Sequence, residues 1–230
     1  MEKKNNYILI LGSKPLAFIP KVEYNYIYAA NGAVEAANKF KMENGLNSNV
    51  ISVVTAPEFL RNMEVQKRVI SASPKILISR FGEIEVNKFD INKDLIYENL
   101  SNFQQLKIQS KFFKFNFLDV LMKETFYEES FLGKVKHIFL SIINNRLIGV
   151  STGFFCILYA LSKHKNSKII ISGIGMAGGG HYYNLSSNRY TNRSKVDQKL
   201  VLNLKKQYKK NLITTDKNLS KNGKIDLWKE

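Results

Sequence analysis

The sequence predicts an α/β fold, a Rossmann-like parallel sheet flanked by helices, on three observations. Short continuous apolar runs recur along the chain, most of them end on glycine, asparagine or proline, and helical periodicity fills intervals between them. A continuous apolar run of about five residues is the pattern of a strand covered on both faces, as parallel sheets require. Alternation of such runs with helices implies β-α-β units.

The first run, Tyr7 to Leu11, ends at Gly12-Ser13-Lys14-Pro15 and predicts the first strand. A second, Tyr26 to Ala30, stops at Asn31-Gly32 and gives way to a helical stretch through Ala33, Val34, Ala36, Ala37 and Phe40. Val50 to Val54 and Lys75 to Ser79 predict two further strands. Residues 82–146 mix Asn, Gln and Lys with aromatics such as Phe112, Phe113, Phe115 and Phe117, and read as a partly helical cap or lid within a single domain spanning 1–230. Ser151 to Leu161 is apolar on all sides, hence a buried helix. Lys168 to Ser172 predicts another buried strand, ending in the glycine-rich stretch Gly173 to Gly180. Val196, Leu200, Leu204 and Tyr208 fall at helical spacing, and Leu212 to Thr215 suits a final strand.

Composition narrows the function classes. With 230 residues and 44% hydrophobic content the chain is long and apolar enough to bury a full core, so wholesale disorder is excluded. Its one cysteine, Cys156, lies inside an apolar run, which excludes an internal disulfide and a cysteine-based zinc site. The apolar stretch before Gly12 is too short for a signal peptide core or a membrane span, which predicts a cytoplasmic protein. The formal charge of +16 predicts attraction to anions: nucleotides, nucleic acid or an acidic membrane surface. Much of the excess lies after Arg189, including Lys205, Lys206, Lys209, Lys210, Lys217, Lys221 and Lys224; such a stretch suits anionic lipid headgroups and equally a solvated helix face.

Ligands of parallel α/β sheets bind outside the carboxyl ends of the strands, where loop amides and helix N-termini point at them. Gly12-Ser13-Lys14 offers a close backbone approach, a hydroxyl and a cation, a phosphate cradle without the spacing of a P-loop or a dinucleotide fingerprint. Asn31-Gly32 offers a carboxamide able to donate and accept, or simply a turn. Ser151-Thr152-Gly153 opens the buried helix, where capping and anion binding use the same atoms. The loop from Gly173, Ile174 and Gly175 onward is rich enough in glycine to predict close ligand approach or mobility. His181 and Tyr183 beyond it are candidates for proton transfer or phosphate binding, whereas His164 reads as the exposed end of a lysine-rich helix.

Taken in order, Gly12 to Pro15, Ala30-Asn31, Ser151 to Gly153 and Ser172-Gly173-Ile174 resemble motifs of the small bacterial sialyltransferases. The resemblance covers the two ends of the chain and leaves the middle unmatched. Those enzymes are cytoplasmic, associate with the inner membrane and transfer sialic acid from CMP-sialic acid to lipooligosaccharide. Carried over by position, the resemblance implies that Gly12, Ser13 and Asn31 contact the nucleotide. It implies that Ser151, Thr152, Gly153 and Gly173 line the CMP site, and that Tyr183 stabilises the departing phosphate. Lys14, Gly32, Ile174 and Gly175 complete the expected nucleotide-binding set.

The departures fall at the catalytic positions. The acidic residue expected after Ser-Gly-Ile is Gly175, the first phosphate tyrosine is Ala177, and the histidine base before the C-terminal helix is replaced by a region holding Arg189, Tyr190 and Arg193. Arginine stays protonated near neutral pH and cannot act as a base, though it can hold a carboxylate or phosphate bidentately. His181, or Glu35 one turn into the helix after Asn31, is then the candidate base or nucleophile.

The expected activity is therefore transfer of an acidic sugar, sialic acid, Kdo or similar, from a CMP-activated donor. The alternative is a non-catalytic nucleotide-binding protein. The expected partners are the CMP-sugar, a glycan or glycolipid acceptor and an anionic inner-membrane surface, and the sequence is compatible with a homo-oligomer. Nucleic acid is not expected, since no recognised nucleic-acid module is visible. No cofactor or metal is expected, since no Asp-x-Asp motif is present.

Overall fold

A computed structural model describes residues 6–113, 150–175 and 200–229, together with positions 130–133, 135, 136, 139, 197 and 198. Among these residues eight parallel strands form one sheet: β1 (Tyr7–Leu11), β2 (Tyr24–Ala30), β3 (Asn49–Thr55), β4 (Ile76–Arg80), β5 (Ile96–Leu100), β6 (Lys168–Ser172), β7 (Leu212–Thr214) and β8 (Asp226–Leu227). Their order across the sheet is β5-β4-β3-β2-β1-β6-β7-β8. The chain winds outward from β1 to β5, returns to place β6 beside β1, and winds outward again to β8. The direction of winding therefore reverses between β1 and β6.

Helices bounded among the described residues include α1 (Ala33–Glu43), α2 (Ala56–Arg61), α3 (Met63–Ala72), α4 (Asn102–Ser110), α5 (Thr152–Lys163), α6 (Lys206–Lys209) and α7 (Lys217–Gly223). Successive strand residues point to opposite faces, so β1 divides its apolar side chains between two cores. Ile8 and Ile10 join Phe154, Phe155, Ile157 and Leu158 of α5. Leu9 and Leu11 join Val34 and Ala37 of α1, Phe59 of α2 and Val65 and Val69 of α3. Phe154 and Phe155 are fully buried, each contributing about 1.5–3 kcal/mol of transfer free energy. That two-sided cover is why the strands read as continuous apolar runs.

Several expectations need correction. The region from 82 does not begin as a lid: Ile96–Leu100 pairs with β4 as the sheet edge, and Asn102–Ser110 follows it under a Ser101–Gln104 capping box. The predicted helix through Leu200, Leu204 and Tyr208 is broken, because Leu204 leaves the helical residues at 200–202 to bridge Phe113, and a new short helix starts at Lys206. Leu212–Thr214 is a strand but not the last, since β8 pairs outside it. Two of the C-terminal lysines serve the fold: Lys205 Nζ donates to the carbonyl of Lys111, and Lys209 Nζ to those of Leu202 and Gly223. No helix among the described residues is long and apolar enough to cross a membrane.

Candidate functional site

The reversal between β1 and β6 is a topological switch point, the place at the carboxyl edge where open parallel α/β sheets bind their ligands. The two loops meet there backbone to backbone. The Gly12 amide donates to the Ser172 carbonyl at 2.8 Å, the Lys14 amide to the Gly173 carbonyl at 2.9 Å, and the Ser172 hydroxyl to the Phe18 carbonyl at 2.6 Å. A Cβ on Gly12 would lie 2.2 Å from the Gly173 oxygen, and one on Gly173, at φ +68°, 2.5 Å from the Gly12 oxygen. Both glycines are therefore required by this loop-to-loop contact, and the contact fixes where Ser13 and Lys14 stand.

Backbone strain gathers at the same edge. Five non-glycine residues among those described have positive φ, and two of them, Ser73 and Lys224, simply end helices. The other three follow strands at the carboxyl edge: Leu16 after β1, Asn31 after β2 and Phe81 after β4. Such conformations cost about 1–3 kcal/mol each and persist where surrounding structure holds them, often at ligand sites. Asn31 carries a second signal, for its Oδ1 is buried with no hydrogen-bond partner among the described residues. Its backbone amide is fixed to the Val53 carbonyl at 2.9 Å. Gly32, buried beside it, starts α1.

Lys14, half-buried, pairs with Asp216, whose carboxylate also accepts the Leu219 amide as the cap of α7. Burial alone would raise the Asp216 carboxyl, but the Lys14 hydrogen bond and the amides of Leu219 and Asn218 outweigh it and hold the group below its ordinary value. No local sequence pattern marks Asp216, because its partner lies 202 positions away.

At the start of α5 the capping reading holds. The Ser151 hydroxyl accepts the Phe154 amide at 3.2 Å, and the Ser151 amide donates to Asp197 Oδ1 at 3.2 Å, placing a buried carboxylate at the helix N-terminus. Thr152 is buried, and Ile174 packs over Gly153 so closely that an added Cβ would meet it at 3.3 Å. Gly153 thus leaves the space that Ile174, next to the Gly173 turn, fills. Gly175, half-buried, closes the described part of that loop. Arg80, which sequence reasoning also missed, is fully buried at the end of β4. It donates to Gln105 Oε1 at 2.9 Å and to the Val150 carbonyl at 3.1 Å, with its guanidinium 4.1 Å from the Phe155 ring centroid. A strand-terminal arginine thereby anchors the approach to α5.

Comparison with protein-family models, with curated proteins and with solved structures finds no match to this chain.

Of the candidate catalytic groups, Glu35 is committed elsewhere, to an ion pair with Arg68 that joins α1 to α3. His181, Tyr183, Arg189 and Arg193 lie outside the described residues. His164 is not an exposed helix end: its Nε2 is 2.8 Å from the Tyr28 hydroxyl and its ring lies 4.7 Å from that of Tyr26. Cys156 is wholly buried, which pushes its thiol up to about 12 and removes it as a nucleophile. No metal-binding cluster of His, Cys, Asp and Glu occurs among the described residues. A polar groove of about 680 Å³ opens at the opposite edge, beside Asn25, Tyr26, Asn47 and Asn49. It faces the amino ends of β2 and β3, away from the loops that converge at the switch point.

Proposed function

We propose that this chain is a glycosyltransferase that takes an acidic sugar from a CMP-activated donor, with the nucleotide seated at the β1/β6 switch point. The observation that carries the reading is the joining of Gly12–Lys14 to Gly173 at that point, beside Asn31, because these segments bear the motifs that resemble sialyltransferases. In this reading Asn31 Oδ1 accepts from the ribose or base, and Ser13 and Lys14 hold the phosphate. Tyr183, Arg189 and Arg193 stabilise charge on the departing phosphate, and His181 takes the proton of the acceptor hydroxyl. Work at the cytoplasmic face of the inner membrane on a glycan or glycolipid acceptor belongs to the same proposal.

Calorimetric titration with CMP, UMP, GDP and ADP tests the nucleotide, and release of CMP from CMP-sialic acid and CMP-Kdo tests the reaction. Selective CMP binding with turnover that His181→Ala and Tyr183→Phe both abolish is the expected result. Equal weak binding to all four nucleotides refutes the site.

A second reading, a nucleotide-binding protein without turnover, draws on one observation. Glu35 and Asp216, the carboxylates nearest the ends of β2 and β7, are both held in ion pairs. CMP binding with no turnover of any CMP-sugar selects it.

A further inference from the structure

We propose that Asp216 is a charge filter at the phosphate site, favouring a singly charged phosphodiester over a doubly charged phosphomonoester; the inference rests on the switch-point reading above. Asp216 is the fixed partner of its ion pair. One carboxylate oxygen accepts the Leu219 amide at 2.9 Å, its own amide donates to Thr214 Oγ1 at 3.1 Å, and its side chain is only 10% exposed. Lys14 is the movable partner, with its backbone pinned to Gly173 and its side chain 36% exposed on a flexible four-carbon stem.

A phosphate arriving at Lys14 finds the ammonium already engaged and must take it from Asp216. Phosphate oxygens make strong charge-assisted bonds to an ammonium, and the Lys14 end of the pair is partly exposed, so the ammonium can turn to an incoming phosphate. The carboxylate does not leave. It remains within one ammonium of the phosphate, and its negative charge opposes that of the ligand. A phosphodiester brings one charge, which Lys14 neutralises. A phosphomonoester brings up to two, and the second faces Asp216 uncompensated. In a transferase using a nucleoside monophosphate sugar, the donor is the diester and the released nucleotide is the monoester. Asp216 would then retain the donor and hasten departure of the nucleotide product.

The test is titration of wild type, Asp216→Asn and Lys14→Gln with CMP and with its 5′-methyl phosphodiester at pH 7.5, where CMP is largely doubly charged. Asparagine keeps the acceptor that caps α7, and thermal denaturation confirms that each variant is folded. Asp216→Asn is expected to bind CMP roughly two- to fivefold more tightly than wild type, with a smaller gain for the diester. Lys14→Gln is expected to weaken both. If Lys14→Gln weakens binding but Asp216→Asn gives no gain, or an equal gain for the two ligands, the charge filter is overturned and the site stands. If neither substitution alters binding, or no variant binds either ligand, both are overturned.

Discussion

Gly12 and Gly173 touch backbone to backbone across the point where the sheet reverses its winding, and neither position has room for a methyl group. Gly12→Ala drives its Cβ into the Gly173 carbonyl, and Gly173→Ala adds the cost of a left-handed backbone to the reciprocal clash. Each substitution is expected to destabilise the protein by about 1–3 kcal/mol, towards the upper end for a contact with backbone. The double variant should cost less than the sum, because the first shift of the loops relieves the second clash. Urea denaturation midpoints of the three variants check this; full additivity would mean that the loops move independently.

Asn31 separates stability from binding. Its φ of +51° suits glycine, and its buried Oδ1 is unpartnered among the described residues. Asn31→Gly relieves the backbone and removes the lone acceptor together, so unfolding free energy should stay within about 1 kcal/mol of wild type. CMP affinity should fall about three- to tenfold, as expected for the loss of one hydrogen bond to the ligand. Denaturation and calorimetry on the same preparation measure both. Unchanged affinity would remove Asn31 from the site.

The parallel sheet was legible because strands buried on both faces leave unbroken apolar runs, and Tyr7–Leu11 and Lys168–Ser172 have the bounds expected of them. Ile96–Leu100 was hidden for the converse reason. As an edge strand with only Leu100 buried, it carries Glu98, whose carboxylate accepts the Tyr159 hydroxyl, and so looks like loop. The loops at the switch point were legible through glycine and asparagine, which strained turns require. What the loops enclose was not. Lys14 meets Asp216, and Ser151 meets Asp197, only through strand order, and no local spacing records such pairs. Arg80 escaped notice because an arginine after an apolar run resembles the wet end of a strand, whereas here it is buried against Phe155 and Gln105.

Glu35 provides a test of role against position. It stands in the first turn of α1, near the carboxyl edge, yet its carboxylate is held by Arg68 of α3. Glu35→Gln should cost no more than about 1 kcal/mol, the scale of a half-exposed pair, and should leave CMP binding and sugar transfer unchanged. A large loss of turnover at unaltered CMP affinity would instead make Glu35 the base. Paired measurement of the unfolding midpoint and the rate of CMP release distinguishes the two.

Tyr28 and His164 should make stability depend on pH. Burial, with Lys163 adding to it, lowers the His164 pKa below its ordinary 6.5, and burial holds the Tyr28 hydroxyl protonated by raising its pKa. The neutral imidazole therefore accepts the Tyr28 proton at Nε2 in the folded state. Because the unfolded chain takes up a proton on His164 more readily than the folded chain, falling pH favours unfolding. This contribution is complete above 6.5, is lost as pH drops from there through the lower folded value, and is constant below it. Stability of wild type should thus decline between pH 7.5 and pH 5, with a smaller decline in His164→Gln, whose side chain does not titrate. Urea denaturation across that range, with a histidine NMR titration midpoint below 6.5, checks the sign; a midpoint above 6.5 would reverse it and mean that the folded state gains a proton at this contact.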